Sequence, residues 1–383
     1  MAEIVRGFRD FTGEETEKRE KIIEILKRNF RLYGFEPAET PIIEYENFVK
    51  QGNEEDEAVS DIFKLEDKGK RKLALRYEFT FQLKRIAKNK KLPYKRYQIG
   101  PVFRDEPVTS NRFRQFTQAD VDIVGATIKE EAEILALTSR ILRELKIKAE
   151  FNVNNRKLLN EILDKQGIKN KQEVIRIIDK LDKKSEKEVK EELKKCKAEN
   201  LLTIFKKPKN YFEKYKAYSE IKELENWCKL YGVKINFQPS LARGLSYYNG
   251  TIFEIKTKKM KETICAGGSY LVNGIQSTGI SFGIERLSKL AKIDLKKEQV
   301  LILSIGKDDK AVKLSERLRD KGISCLVMYG RPTKALEYAN SKKIEKVLFV
   351  GEEEVRKGKY KLRDMKTGKE VLVDEEGVGE RLK

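Results

Sequence analysis

Residues 92–125 constrain the fold more than any other part of the chain. "LPYKRYQIGPVFR" and "FRQFTQADVDIVG" are two strand-like runs joined by the polar "DEPVTSN", which makes a long hairpin with an arginine at each rim. Side chains alternate across a strand, so Gln118, Asp120 and Asp122 fall on one face of the second run and Ala119, Val121 and Ile123 on the other. A wholly structural strand rarely spends three polar residues on one side.

The flanking segments supply the packing. Thr12 and Glu15 stand at capping-box spacing ahead of Ile22, Leu26 and Phe30, which share a helical face that ends at Gly34. Pro41 interrupts the extended "EPAETPIIEYENF" and argues for an edge or irregular strand, the kind of edge at which subunits pair. "IKEEAEILALTSRILREL" is helical again, with Ile134, Leu135, Thr138 and Ile141 on one stripe. Between about 156 and 235, "KQEVIRIIDKLDKKSEKEVKEELKKCK" is charge-laced around an Ile/Val/Leu stripe and reads as an inserted helical module with a solvated outer face. Further on, "VLILSI", "SCLVMYG" and "KVLFVG" are short apolar runs separated by helical patterns, one of them aligning Ala311, Leu314, Ser315 and Leu318 and stopping at Gly322. They predict a small α/β domain with a mostly parallel sheet, whose last hairpin turns at Lys366, Thr367 and Gly368.

A chain of 383 residues is long enough for two or three domains. No stretch reaches the run of about 18 apolar residues that a membrane span needs, and "MAEIVRGFRDF" lacks the apolar core of a signal peptide. The expectation is a cytoplasmic protein with no membrane partner. Cys196, Cys228, Cys265 and Cys325 show no CxxC spacing, which points away from disulfides and zinc. Lys plus Arg number 82 against 62 Asp plus Glu, and a net charge of +20 favours a polyanionic partner such as nucleic acid. The chain has no histidine, so its chemistry must use charge, carboxylates and positioning.

No phosphate loop, dinucleotide fingerprint or nucleophile elbow is present in the sequence. What remains is a scattered constellation. Arg104 ends "IGPVFR" and precedes Glu106, and Arg286 begins the helix after "TGISFGIERL"; two permanent charges at strand and helix ends suit a polyphosphate. Gly279, Ser281 and Gly283 strip one strand face of bulk, so that a flat base can lie against the backbone. "LARGLSYYNGTIFEI" sets Arg243 before a tyrosine pair, of which Tyr247 is expected to face the core.

"YGFEPAETPIIE", "IGPVFRDEPVTSNRFRQFTQADVDIVG" and "TGISFGIERL" resemble motifs 1, 2 and 3 of the class II aminoacyl-tRNA synthetases, and "LARGLSYYNGTIFE" with "CAGGSY" resembles the signature peptides of the histidyl-tRNA synthetase family. "LRYEFT" and "FTQADVDIVG" look more like its archaeal and eukaryotic branch. The resemblance covers nearly the whole chain. It implies an α+β fold: an antiparallel six-stranded sheet flanked by helices, with a helical insertion and a C-terminal α/β anticodon-binding domain. The catalytic core would occupy 1–155 and 236–295, the insertion 156–235 and the anticodon-binding domain 296–383.

It also implies a homodimer joined through motif 1, and activation of L-histidine by ATP with Mg2+ before transfer to tRNA(His). On this sequence Arg104 would hold the α-phosphate, Glu106 the adenine edge and Arg286 the γ-phosphate, while Arg243 would stabilise charge developing on the α-phosphate. No direct protein ligand for the metal is assigned. Glu78, Thr80 and Gln118 match positions around the substrate ammonium, and Asp122, Tyr248 and Tyr270 match positions around the imidazole. Arg112 and Arg114 flank the motif 2 loop, which in the family meets the tRNA acceptor end and its extra 5′ guanosine.

The family usually reads Asp at Ser246, and Arg and Asp at Ser269 and Leu271. These departures keep open a second reading, a non-catalytic paralogue that binds histidine as a regulatory subunit of ATP phosphoribosyltransferase. Retention of Arg104, Glu106, Arg243, Arg286 and a complete C-terminal domain favours the enzyme.

Overall fold

The computed structural model describes residues 3–50, 59, 61–109, 112–182, 184–243, 247–295 and 299–382. The chain divides into two compact units, Met1–Ile293 and Asp294–Lys383.

In the first unit the strands are β1 (Glu36–Pro37), β2 (Ile43–Tyr45), β3 (Lys64–Glu66), β4 (Lys72–Leu75), β5 (Tyr94–Phe103), β6 (Gln115–Val124), β7 (Glu150–Asn155), β8 (Ile235–Phe237), β9 (Tyr248–Thr257), β10 (Met260–Val272) and β11 (Ile275–Gly283). The main sheet has eight strands in the order β1-β5-β6-β11-β10-β9-β7-β8. Its inner six, β5 to β7 in that order, are antiparallel throughout. Each edge carries a short strand that runs parallel to its neighbour, β1 on β5 and β8 on β7. A smaller sheet, β2-β4-β3, forms beside it.

The apolar face of this sheet is the floor of the main core. Ala119, Val121, Ile123, Phe253, Ile280 and Phe282 meet Ile22, Leu26 and Phe30 from the Gly13–Leu32 helix and Ile134, Leu135 and Ile141 from the Ile128–Glu144 helix. Each such side chain contributes about 1.5–3 kcal/mol on burial. The second of these helices begins on a capping box between Thr127 and Glu130. The first does not: Thr12 occupies the N-cap position but makes no side-chain cap bond. Glu15 is instead taken by Arg9, at 2.9 Å.

A second core joins the 156–235 helices to the sheet. Leu158, Ile162, Val174, Ile178, Leu193, Leu202 and Phe212 pack in one cluster with Tyr94, Val124, Tyr248, Ile252 and Tyr270. The insertion is thus built onto the strands that carry the signature tyrosines.

The second unit holds β12 (Gln299–Ser304), β13 (Ser324–Tyr329), β14 (Lys346–Val350), β15 (Tyr360–Asp364) and β16 (Glu370–Val373), in the order β13-β12-β14-β15-β16. β12 pairs parallel with β13 and β14, and the β14-β15-β16 end is antiparallel. The closing hairpin turns through Gly368 at φ +71°, with Asp364 Oδ1 accepting from the Thr367 amide at 2.8 Å.

Candidate active site

Strand register lays the polar face of the main sheet out in rows. Gln98, Asp120, Ser281, Ala266 and Glu254 form one row, and Arg96, Asp122, Gly279 and Gly268 form the next. Small residues fill the middle of both, which leaves a shallow trough with charged walls. The glycines are forced by close approach: a Cβ at Gly279 would run into Asp122, and one at Gly268 into the Thr251 carbonyl.

One end of the trough is a buried hydrogen-bonded pocket. Arg96 is fully buried; its Nη2 lies 2.9 Å from Asp122 Oδ2 and donates to the Phe79 carbonyl at 3.1 Å. It thereby ties β6 to the "LRYEFT" turn. Tyr270 donates its hydroxyl to Asp122 Oδ1. Burial raises the Asp122 carboxyl, with Arg96 and Tyr270 acting against it. Gln118 Nε2 donates to Asp120 Oδ2 at 3.0 Å and to Ser281 Oγ at 3.3 Å. Glu78 is buried in the turn, and Thr80 begins the short Thr80–Ile86 helix beside it.

Tyr247 packs against the second core, as expected from the sequence, and in doing so also lines the pocket. Its hydroxyl reaches Glu78 Oε2 at 3.5 Å, and its ring lies 4.8 Å from Tyr248 and 5.5 Å from Tyr270. Burial pushes the Tyr248 phenol up to about 12, against Arg243 and Tyr247.

The other end is cationic. Arg104 sits over the Phe116 ring at 5.2 Å and donates from Nε to the Tyr77 carbonyl at 3.2 Å. Glu106 lies 3.9 Å from Arg104 and 3.5 Å from Arg112. Arg286 donates to the Thr263 carbonyl at 2.6 Å. Its guanidinium is held below the ordinary range by burial first, then by Arg112 and Arg104, with Glu262 and Glu106 offsetting part of this. Three guanidiniums that repel one another across one trough fit a polyphosphate. Arg114 stands apart from them: it pairs with Asp105 at 3.0 Å, and its backbone amide donates to the Gly7 carbonyl at 2.9 Å.

Arg243 lies between the two ends. Asn154 of β7 donates to the Pro239 and Leu241 carbonyls, both at 2.9 Å, and so fixes the segment that leads to it. Its Nη1 meets Glu254 Oε1 at 2.5 Å. Burial alone would lower the Arg243 pKa, but Glu254, and then Tyr248 and Asp179, override it and hold the guanidinium charged. Asp179 belongs to the insertion, so that module acts on the site electrostatically.

Several participants were not singled out from sequence. Glu254 sits inside the strand run "GTIFEI", where a charged residue amid apolar neighbours was the available signal. Arg96, flanked by Lys95 and Tyr97 in "YKRYQIG", carried no such signal. Ser269, one of the family departures, points away from the trough and donates to Glu131 of the Ile128–Glu144 helix, whereas Leu271 is exposed. Ser246 lies outside the described residues.

Comparison with known proteins agrees with this geometry. The family described as histidyl-tRNA synthetase matches residues 7–287, and the anticodon binding domain family matches residues 299–383. Histidine–tRNA ligase 1 of Bacillus cereus is 34% identical, with 96% of this chain and 96% of that protein covered. Histidine–tRNA ligase of Wolinella succinogenes is 34% identical over 94% of this chain and 93% of that protein. Among solved structures, histidyl-tRNA synthetase from Nostoc sp. PCC 7120 superposes with a TM-score of 0.86 at 24% identity, covering 99% of this chain and 98% of that one. A Bacillus halodurans chain titled as an ATP phosphoribosyltransferase regulatory subunit/histidyl-tRNA synthetase gives 0.78 at 21% identity, covering 92% and 98%. At those identities the two structures speak for the fold alone. The family match and the relatives go further: this chain belongs to the histidyl-tRNA synthetase family and carries a C-terminal domain of the anticodon-binding family.

Proposed function

We infer that this protein is a histidine–tRNA ligase, which activates L-histidine with ATP to histidyl-adenylate and diphosphate and then transfers the histidyl group to the 3′ end of tRNA(His). The observation that carries the reading is the single trough that joins a buried carboxylate and tyrosine pocket to a three-arginine cluster through Arg243. The relatives named as ligases over nearly the full chain support it, and the regulatory-subunit reading is not favoured.

In the first step a histidine carboxylate oxygen attacks the α-phosphorus of ATP and the bond to diphosphate breaks. Glu78, Thr80 and Gln118 bind the ammonium; Asp122, Tyr248 and Tyr270 hold the imidazole. Arg104 and Arg243 neutralise charge at the α-phosphate, Arg286 holds the γ-phosphate, and Glu106 meets the adenine edge. A buried, preorganised guanidinium held by Glu254 stabilises developing charge without reorganising. Magnesium, arriving with the nucleotide, would supply further charge neutralisation at the phosphates, and no side chain of this chain is assigned to it.

Arg112 and Arg114 flank the loop assigned to the acceptor end of the tRNA. We assign 1–155 and 236–295 to the catalytic core, 156–235 to the insertion and 296–383 to anticodon recognition. Dimerisation through the motif 1 segment is supported by exposed Ile42, Ile43 and Tyr45 at β2. Among the described residues no helix is long and apolar enough to cross a membrane, and cytoplasmic residence is our assignment. The spellings "LRYEFT" and "FTQADVDIVG" favour the archaeal and eukaryotic pattern, although the relatives named above are bacterial. The testing experiment is histidine-dependent ATP–diphosphate exchange by the purified chain with magnesium; no exchange overturns the ligase reading.

A further inference from the structure

Asp120 stands at the centre of the polar face, between Gln118 and Asp122, and the steps above give it no task. It is 2% exposed. One oxygen, Oδ2, accepts from Gln118 Nε2 at 3.0 Å; the other, Oδ1, is buried with no hydrogen-bond partner among the described residues. Its cross-strand neighbour Gln98 likewise holds a buried Oε1 without a partner. An acceptor left unanswered inside a protein is costly. A structural ion pair does not account for Asp120, because the buried cation beside it, Arg96, makes its contact with Asp122.

The Gln118 contact has a direction. Only the NH2 half of an amide can face a carboxylate, so Asp120 fixes which way Gln118 points. With Nε2 committed to Asp120 and Ser281, Gln118 offers its oxygen to whatever occupies the trough. Two acceptors side by side call for a cationic N–H donor.

We propose that Asp120 is a substrate-recognition residue: Oδ2 locks the Gln118 amide with its oxygen toward the ligand, and Oδ1 accepts an N–H of the bound amino acid. This rests on reading the trough as a histidine site. Burial first, and then the charge of Asp122, push the Asp120 carboxyl up to about 7, against Arg96, Ser281 and Gln118. The charged or titratable groups around it are Arg96 from β5, Asp122 on β6 itself, Tyr248 from β9, Tyr270 of β10 through Asp122, and Glu78 from the turn, which shares Tyr248 with it. A bound cation favours the carboxylate, so histidine binding displaces a proton and strengthens as pH rises through neutrality.

The test is calorimetric titration of the full chain with L-histidine alone, comparing wild type with Asp120→Asn at pH 6 and pH 8. At pH 8 the substitution should weaken histidine binding roughly 10- to 100-fold, the span of a charge-assisted hydrogen bond. The gap should narrow at pH 6, a change that titration of the free histidine ring, common to both proteins, does not produce. ATP affinity should stay within about twofold and Tm should not fall. Asp120→Ser, which removes the charge without adding an amide, should give the same loss. Histidine affinity of the variants within about twofold of wild type overturns the proposal, and so does a parallel fall in ATP affinity and Tm, which marks a structural residue. If wild type itself binds no histidine, the proposal and the ligase reading both fail; if wild type binds and the variants bind equally, Asp120 alone fails.

Discussion

Glu254 holds Arg243. Their charged atoms lie 2.5 Å apart, the Glu254 side chain is 4% exposed, and Lys256 occupies its other oxygen at 3.1 Å. Burial raises Glu254, but Arg243 and Lys256 override it and keep the carboxyl ionised. In Glu254→Gln the two cations lose their common anion, and Arg243 loses its anchor. Histidine-dependent exchange at saturating ATP should fall at least about tenfold in that variant and about 100- to 1000-fold in Arg243→Ala. Unchanged exchange in Glu254→Gln would show that Arg243 is placed by something else.

Much of this site was legible in the sequence, and the exceptions have physical causes. Alternation alone put Gln118, Asp120 and Asp122 on one face, because a strand's period is two and the chain keeps it from Gln115 to Val124. The six antiparallel strands followed from the family resemblance; the parallel edge strands β1 and β8 did not, since two or three residues carry no periodicity. The contact of Tyr247 with Glu78 was not legible, because it depends on where the distant "LRYEFT" turn comes to lie. The Thr12 capping box failed because Arg9 competes for Glu15, a contact that spacing cannot reveal. The partnership of Arg243 with Glu254 depends on how a loop returns over β9, which is tertiary information.

The β2 segment makes a surface prediction. Ile43 is 50% and Tyr45 54% exposed on an irregular edge. Ile43→Asp should shift the protein from dimer to monomer by sedimentation velocity and reduce exchange with it, because the adjoining network of Thr40, Gln82, Gln98 and Glu44 reaches into the row that holds Asp120. A wild-type chain that sediments as a monomer at micromolar concentration would contradict this.

Gly279 in the trough and Gly267 on the opposite, apolar face of β10 should fail differently. At Gly267 a Cβ meets the Gly279 carbonyl, which is backbone and cannot move aside, so Gly267→Ala should lower Tm by several degrees. At Gly279 the obstruction is mainly the Asp122 side chain. Gly279→Ala should therefore displace Asp122 from Tyr270 and raise KM for histidine about tenfold or more with a smaller effect on KM for ATP. Equal effects on both substrates would argue against Asp122 as a histidine ligand.

Glu131 predicts a pH dependence of stability. It is buried beneath β10, where burial pushes its carboxyl up to about 7, with hydrogen bonds from Ser269 and Thr251 opposing. An acid whose folded pKa is raised binds its proton more tightly in the native state. Its stabilising share is full below the unfolded value of 4.5 and is lost as pH rises to about 7. The loss amounts to a few kcal/mol. Denaturant titrations should show Glu131→Gln more stable than wild type at pH 8, with the advantage shrinking toward pH 5. A constant difference across that range would rule out the assignment.

The most direct test is aminoacylation of tRNA with ATP and magnesium, offering each amino acid in turn. The trough should admit histidine alone: charging of tRNA(His) with histidine, none with the other amino acids, and loss of charging in Arg243→Ala. Absence of histidine charging, or charging with a different amino acid, would contradict the account.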